Sequence, residues 1–416
     1  MRTIRRLTAK ELPAFVDLCV DAYPGMNVVK PEDKNRVLER VASLEREDPT
    51  IRMYGVFQDR ELVGGMRLFD FRMTMFETEI PVGGLGMVAV DLVHKKEHIC
   101  KEMVEYFITH YAEKKTPMLA LYPFRPDFYK KMGFGYGAKV SLYRFKPGDL
   151  PSDSSKAHVS FVTLKDIAAI DACYHRYIEK THGMMRRNKN HIRQLDQPAV
   201  RIVAYKRKNR IEGYLAFSLK NTRTDNWLTH ELVIQELIYE NREALAELMA
   251  FVRSQSDQVH YVHYRAQDDY FHYFLTDLRN DSGRLIPPVA HECNSQGMGL
   301  MYRVIDTPGL FAALAHHNFN GQDCRLKITL LDSFYPRHAG SYVIHFAGGK
   351  PSVRKKAAYD LEISLDVSDF SSLVMGVVPF DRLYEFGKAE ISDTAYLDTV
   401  TSIFAVKSPP RCLTQF

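Results

Sequence analysis

A pattern that occurs twice constrains the fold of this chain more than any other feature. Residues 53–69, MYGVFQDRELVGGMRLF, and residues 201–217, RIVAYKRKNRIEGYLAF, share one spacing, with Gly65 and Gly213 at the same place in each copy. Each copy predicts a strand, a charged turn and a second strand. Self-similarity of this kind indicates a duplicated unit. We therefore expect two domains of the same kind in one chain.

The segments around each predicted hairpin repeat as well. A helix is predicted before each hairpin, and a strand, a helix and a further strand are predicted after it. The predicted elements are helix 8–20, strand 86–92, helix 96–112 and strand 118–122 in the first unit, and helix 161–177, strand 229–237, helix 241–253 and strand 261–266 in the second. This order predicts a mixed α/β (α+β) fold.

Chain length and local composition set the predicted domain boundaries. A chain of 416 residues exceeds the size at which one hydrophobic core keeps growing. Residues 145–158, rich in Pro, Ser and Asp, are typical of a linker. After about residue 300, the alternating strand RLKITLLD and a short helical stretch predict a third, α+β domain. We predict domains over residues 1–148, 149–300 and 301–416.

Composition argues against several classes of function. The formal net charge is +5 and no long Lys/Arg block occurs, so we expect no nucleic-acid partner. Six cysteines without CxxC spacing argue against a zinc site and a disulfide framework, so we expect no metal and a cytoplasmic location. The start, MRTIRRLTAKEL, is charged and no apolar run of membrane length follows, so we expect neither a signal peptide nor membrane insertion.

Four segments together resemble a known family. In chain order they are VAVDLVHKKEHICKEM at 88–103, FYKKMGFGYG at 128–137, LKITLLDSFYPRHAGSY at 326–342 and PPRCLTQF at 409–416. They are similar to the enhanced-intracellular-survival (Eis) family of acetyl-CoA-dependent N-acetyltransferases. The resemblance implies two GNAT-like mixed-sheet domains, the second of them degenerate, and a C-terminal sterol-carrier-like α+β domain.

The resemblance implies an acetyl-CoA site where the strand 86–92 meets the following helix. Its strand would offer backbone groups to the pantetheine arm, and the turn and helix N-terminus would hold the pyrophosphate, because the first helical N–H groups are unpaired and the helix dipole favours anions. His98 and Cys100 stand at the small-residue positions of the family's pattern. The predicted cofactor residues are Val88, Val90, Lys95, Lys96, His98 and Ile99.

Glycine at these two positions would let the backbone approach phosphate closely, and its replacement should crowd the diphosphate. The charges of Lys95 and Lys96 would restore part of the attraction. The competing interpretation is that both lysines form a solvated helix start and that the site has lost its cofactor.

The resemblance also implies two catalytic residues. Tyr129 falls where the family places its general acid, and a phenol with a pKa of about 10 can protonate a thiolate of pKa about 8.5 with only a modest mismatch. The terminal carboxylate of Phe416 would be the general base, although an exposed α-carboxyl, with a pKa of roughly 3.3 to 3.7, is a weak base unless burial raises it. Without the family, Tyr129 would be interpreted as one core aromatic among many.

The second domain has acidic Glu240 and Glu243 at the corresponding helix start, which would repel a diphosphate, so we expect no cofactor there. The leading hypothesis is acetyl transfer to a primary amine of an aminoglycoside-, polyamine- or lysine-like small molecule, in a ternary complex. The alternative is a non-catalytic protein that binds a small molecule or a lipid. The resemblance implies a homo-oligomer, commonly a hexamer, and an oligomeric scaffold is compatible with either hypothesis.

Overall fold

The computed structural model describes residues 2–152, 155–222, 226–286, 289–354 and 357–416. Within these residues the strands are β1 (Thr3–Arg6), β2 (Ile51–Gln58), β3 (Glu61–Met75), β4 (Thr78–Val90), β5 (Met118–Leu121), β6 (Gly135–Tyr136), β7 (Lys139–Phe145), β8 (Val159–Val162), β9 (Arg201–Arg207), β10 (Arg210–Asn221), β11 (His230–Tyr239), β12 (Val259–Ala266), β13 (Leu285–Ile286), β14 (Ala290–His291), β15 (Asn294–Met298), β16 (Met301–Val304), β17 (Cys324–Leu331), β18 (Gly340–Ala347), β19 (Lys350–Arg354), β20 (Leu361–Asp366) and β21 (Ala389–Ile391). The helices are α1 (Leu12–Ala22), α2 (Pro31–Glu47), α3 (Ile99–Glu113), α4 (Pro126–Lys130), α5 (Ile167–Ile178), α6 (Lys189–Leu195), α7 (Arg242–Arg253), α8 (Thr307–Ala313), α9 (Val367–Val374), α10 (Phe380–Glu385) and α11 (Leu397–Phe404).

The helices that flank the first sheet follow from their apolar spacing and their ends. In α3 the buried stripe recurs at helical spacing, and it comprises Ile99, Met103, Val104, Phe107, Ile108 and Tyr111. Helix α2 begins with Pro31 in its first turn, followed by Glu32 and Asp33, which suit the positive end of the helix dipole. The sequence pattern does not predict α2, because only Val41 and Leu44 are buried in a run dominated by charges.

The predicted duplication is confirmed by the order of the strands. The first sheet runs β1-β2-β3-β4-β5-β16-β6, and the second runs β8-β9-β10-β11-β12-β7-β15. Both hairpins, β2–β3 and β9–β10, form where the repeated segments predicted them. The helix predicted over 161–177 is wrong at its start, because Phe161 and Val162 pair with β9 as part of β8 and the helix α5 begins only at Ile167.

The two large sheets exchange one strand each. Strand β7, which lies within the predicted range 1–148, pairs with β12 and β15 in the second sheet. Strand β16, which lies within the predicted range 301–416, pairs with β5 and β6 in the first sheet. The sheets therefore do not follow the predicted boundaries, since each open edge takes an antiparallel partner from a distant part of the chain. The third sheet, β19-β18-β17-β20-β21, lies wholly beyond residue 300.

The third domain packs on the segment that follows α4. The fully buried Arg303 donates hydrogen bonds to the carbonyl of Met132 and to the carboxylate of Asp332. Gly133 has φ +79°, and a Cβ there would lie 1.4 Å from Nη1 of Arg303. A Cβ on Gly135 would lie 2.1 Å from the carbonyl oxygen of Ser368. These two glycines of the segment FYKKMGFGYG therefore serve the contact between domains.

All three domains meet at one aromatic stack. Phe76, in the β3–β4 turn, lies between the rings of His182 and His317, at centroid distances of 4.6 and 4.0 Å. The N–H of Phe76 donates to Nδ1 of His182, and Nε2 of His182 lies 3.1 Å from the carbonyl oxygen of Met375. The neutral imidazole satisfies both contacts, with Nδ1 accepting and Nε2 donating.

We predict that Gly133→Ala weakens the contact of the third domain with α4. The new Cβ must displace Arg303 from its buried ion pair, a change that costs about 3–5 kcal/mol when a buried charge loses its partner. The urea midpoint of unfolding should fall clearly. The matched control is Gly148→Ala, where nothing lies within 4 Å of the added Cβ and the change should be within about 1 kcal/mol. Equal midpoints for the two variants would contradict this account.

We predict that stability falls as the pH drops from about 6.5 to about 4. Burial lowers the pKa of His182 and of His191 from 6.5 to about 4. In this window the unfolded chain binds protons that the folded chain does not, so each histidine removes about 1.4 kcal/mol per pH unit. His182→Gln should flatten the dependence of the urea midpoint on pH, whereas His260→Gln, at an exposed position, should not. A dependence unchanged by His182→Gln would refute the assignment.

Candidate active site

The segment that ends at Phe416 lies between the first two domains and is held along its length. The N–H of Arg411 donates to the carbonyl of His182 at 2.8 Å, and its guanidinium pairs with Asp268 at 2.8 Å. The N–H of Cys412 donates to Oε1 of Gln267 at 2.6 Å. The carbonyl of Thr414 accepts from the hydroxyl of Tyr122 at 3.0 Å. We call residues 411–416 the tail.

The ring of Phe416 packs in an aromatic pocket on the first sheet. It contacts Phe69, Phe71 and Tyr122 at centroid distances of 5.2, 4.7 and 5.3 Å. The carbonyl carbon of Phe416 lies 3.0 Å from the point that a Cβ on Gly86 would occupy. Gly86 therefore permits the close approach of the tail to strand β4, a signal that glycine within a strand can give and that the sequence analysis did not use.

A cavity of about 810 Å³ opens beside the tail. It is lined by the tail and by strands β7, β11 and β12 of the second sheet, including Glu231, Glu236 and His263. His263 Nε2 lies 3.0 Å from a carboxylate oxygen of Glu231, and Glu236 pairs with the buried Arg187 at 2.6 Å. Tyr122 and Phe416 also line this cavity, so it borders the aromatic pocket that the Phe416 ring fills.

Strand β4 is paired with β5 over only part of its length. Its parallel pairing with β5 begins at Val82 with Met118 and ends at Leu85 with Leu121, whereas β4 continues to Val90. The backbone of residues 86–90 therefore has no β5 partner on that side. Both predicted residues of this strand, Val88 and Val90, lie on the unpaired stretch, and the carbonyl of Val88 accepts from the hydroxyl of Tyr23 at 2.6 Å.

The turn between β4 and α3 forms without glycine. Lys96 and His98 both have left-handed φ, +70° and +64°, and His98 is the N-cap of α3. Histidine is among the residues that tolerate this conformation best. Arg2 holds the turn, since it donates to the carbonyl of Glu97 at 2.9 Å and pairs with the carboxylates of Glu97 and Glu102.

The chemistry of this turn suits an anion. Lys95, Lys96 and His98 are exposed, whereas the side chain of Ile99 is buried in the core and its backbone opens α3. The first N–H groups of a helix have no carbonyl within it to bond, and they attract negative charge together with the dipole. The charge of the two lysines adds to this attraction. The residues present therefore fit a diphosphate, with Glu97 neutralised by Arg2.

Tyr129 lies on α4 on the opposite face of the first sheet from Phe416. Its side chain is buried and packs against Phe124, Phe128 and Phe134. Burial raises the pKa of Tyr129 above that of an ordinary phenol, and the neighbouring Cys100 and Tyr23 raise it further. The hydroxyl is therefore protonated at neutral pH. The raised pKa also makes it a weaker acid than a phenol of pKa about 10, so its mismatch with a thiolate is larger than the sequence predicts.

The corresponding place in the second domain is occupied by the chain itself. At the start of α7 the side chain of Asn241 accepts from the N–H of Ala244, and Glu240 pairs with Arg176 and Arg210. Beyond the end of the β11–β12 pairing at Ile234, the guanidinium of Arg411 lies beside the side chain of Tyr239. The cap already occupies one of the first N–H groups of α7, whereas no side chain among the described residues caps the start of α3.

The structure thus brings Phe416, Val88 and Val90 to one strand, with Tyr129 and the α3 turn beside it. Sequence reasoning missed Gly86, Tyr122 and Tyr23. No group of three or more potential metal ligands occurs in the described ranges. Over the same ranges, no helix has the length and apolar character needed to cross a membrane.

Three family models match the chain in succession. Residues 3–137 and 183–304 each match an acetyltransferase (GNAT) domain, and residues 310–413 match a sterol carrier protein domain. A comparison with curated protein sequences gives no significant match.

Solved structures share the fold over the full length of the chain. A GCN5-related N-acetyltransferase from Anabaena variabilis is 17% identical with a TM-score of 0.82, and each chain is covered completely. A probable N-acyltransferase from Enterococcus faecalis is 19% identical with a TM-score of 0.79, and Eis1 from Mycobacterium abscessus is 18% identical with a TM-score of 0.78, again with both chains fully covered. The chain therefore belongs to the GNAT acetyltransferases, in the Eis-like arrangement of two GNAT domains followed by a sterol carrier protein domain.

Proposed function

We propose that the protein transfers an acetyl group from acetyl-CoA to a primary amine of an aminoglycoside-, polyamine- or lysine-like small molecule, directly and in a ternary complex. The observation that carries this proposal is the position of Phe416 against Gly86, at the stretch of β4 that has no β5 partner. A base at this point faces an open backbone edge, and acetyl-CoA bound along that edge would supply the thioester.

The proposed acetyl-CoA site consists of the edge of β4 that has no β5 partner and the turn before α3. Val88 and Val90 would offer backbone groups to the pantetheine arm. Lys95, Lys96, His98 and Ile99 would hold the diphosphate through side-chain charge and through the free N–H groups at the start of α3. The left-handed conformations of Lys96 and His98 support this proposal, because they give the turn a shape that glycine would otherwise supply.

Two of the proton transfers need a protein group, and the groups that would carry them out, the Phe416 carboxylate and the Tyr129 hydroxyl, lie on opposite faces of the first sheet. The Phe416 carboxylate takes a proton from the acceptor ammonium, and the freed amine attacks the carbonyl carbon of the thioester. A C–N bond forms, the C–S bond breaks, and the departing thiolate takes the proton of the Tyr129 hydroxyl. The attacking nitrogen releases its second proton to solvent, which leaves a neutral amide, and solvent returns a proton to the Tyr129 phenolate. The cavity beside the tail would hold the rest of the acceptor, with Glu231 and His263 on its wall.

We predict that Tyr129→Phe lowers kcat about 10²–10⁴-fold, the range typical of a general acid. Affinity for acetyl-CoA should change little, because the ring and its packing remain. Thiol release measures turnover, and calorimetric titration measures binding. Tyr136→Phe, at a partly exposed tyrosine seven residues away, is the control and should keep normal turnover. Unchanged turnover in Tyr129→Phe would exclude the proposed role.

We predict that two or three residues added after Phe416 abolish amine-dependent thiol release. The added residues turn the carboxylate into a peptide carbonyl, which is not a base, and they do not fit beside Gly86. Binding of acetyl-CoA should persist. The same residues added before Met1 are the control. If the wild-type chain neither binds CoA nor releases thiol with any amine, the non-catalytic binding protein becomes the better hypothesis.

A further inference from the structure

Arg67 on strand β3 is a buried cation without an ionic partner. Its side chain is 7% exposed, and none of the ion pairs among the described residues involves it. One Nη donates to the sulfur of Met87, which is a weak acceptor, and Nε has no hydrogen-bond partner. A buried guanidinium in this state is costly unless an anion comes close.

The position of Arg67 relative to the tail follows from the pairing of β3 with β4. Arg67 is the Cα partner of Gly86, so the two residues direct their Cβ positions to the same face of the sheet. The point that a Cβ on Gly86 would occupy is 3.0 Å from the carbonyl carbon of Phe416. Phe69, the next residue on that face of β3, contacts the ring of Phe416 and has the Arg67 guanidinium 5.7 Å from its centroid.

The other charged or titratable groups near this point are engaged or neutral. On α2, Glu45 pairs with Arg6 and accepts from the N–H of Met53, and Arg40 lies 3.4 Å from the side-chain oxygen of Asn190. On α1, burial raises the pKa of the Cys19 thiol to about 12, so it is neutral. On β5, the hydroxyl of Tyr122 donates to the tail, and burial raises its pKa. Burial lowers the pKa of Arg67 to about 10, which leaves it charged at neutral pH.

We propose that Arg67 is a positioning residue for Phe416: its guanidinium is the counter-charge that keeps the Phe416 carboxylate ionised and seated against Gly86. The inference rests on the proposed function, in which that carboxylate is the base. Burial alone would favour the protonated acid, which is not a base, and a nearby cation opposes this effect. Arg67 therefore reconciles a partly buried carboxylate with activity at neutral pH.

The test compares Arg67→Met, Arg67→Lys and the control Arg72→Met, which lies on the same strand at a largely exposed position. The first readout is hydrogen exchange of residues 411–416 without substrates. We expect exchange in Arg67→Met to be at least about tenfold faster than in the control, with Arg67→Lys in between. Thermal unfolding checks that each variant folds, and Arg67→Met should unfold at a lower temperature than Arg72→Met, because it leaves the Phe416 carboxylate without its counter-charge.

The second readout is the dependence of kcat/KM on pH. Loss of the cation raises the pKa of the carboxylate, so the acidic limb of the pH profile in Arg67→Met should move to higher pH by about one unit or more, while that of Arg67→Lys should stay near the wild type.

The inference would be overturned if Arg67→Met matched Arg72→Met both in the rate of hydrogen exchange of the tail and in the position of the acidic limb. If a chain extended past Phe416 keeps full turnover, the carboxylate is not the base and the proposed function fails, yet tail exchange in Arg67→Met still decides whether Arg67 holds the tail.

Discussion

The separation of β4 from β5 after Leu85 is the constraint on which the rest of the site depends. A strand that ran fully paired to Val90 would leave no backbone edge for a cofactor and no opening between the two faces of the sheet. Because pairing stops, residues 86–90 have no strand of the described chain beside them on one side, while on the other β3 pairs with Gly86, Ala89 and Val90 around an irregularity at residues 87–88. Phe416 and Tyr129 lie on opposite faces of this sheet, each packed against a mainly apolar core.

In this chain, glycines lie where two segments pack closely, and none lies in the turn before α3, where the diphosphate is expected. Gly86 makes room for Phe416, and Gly133 makes room for Arg303. At the turn before α3, Lys96 and His98 take the left-handed conformation, and Arg2, just before the first strand, donates to the carbonyl of Glu97 between them. The shape of the turn thus depends on an ion pair with the N-terminal segment, so its stability is sensitive to salt in a way that a glycine turn is not.

Sequence reasoning reached the duplicated unit, the hairpins and the third domain, because their signals are local: apolar period, turn residues and spacing. It missed α2, whose apolar positions are few, and it extended a helix over β8, because Phe161 and Val162 fit either period until a neighbouring strand is present. In the site, the motif segments led to Val88 and Tyr129. A glycine within a strand is a general signal of close approach, but what approaches Gly86 is a tail more than 300 residues away. Arg67 gives no sequence signal at all, because its position beside the tail follows from the pairing of β3 with β4.

The exchange of β7 and β16 has a consequence for how the chain is made. During synthesis, β5 and β6 have both been made once Tyr136 is added. Strand β16, which lies between them in the sheet, begins only at Met301. Until then β5 presents an unpaired edge, which is a template for wrong partners. Each large sheet contains a strand from the other side of the predicted linker, so we expect a gene cut there to yield two fragments that need each other. During translation, the first sheet is completed only after the second half has emerged.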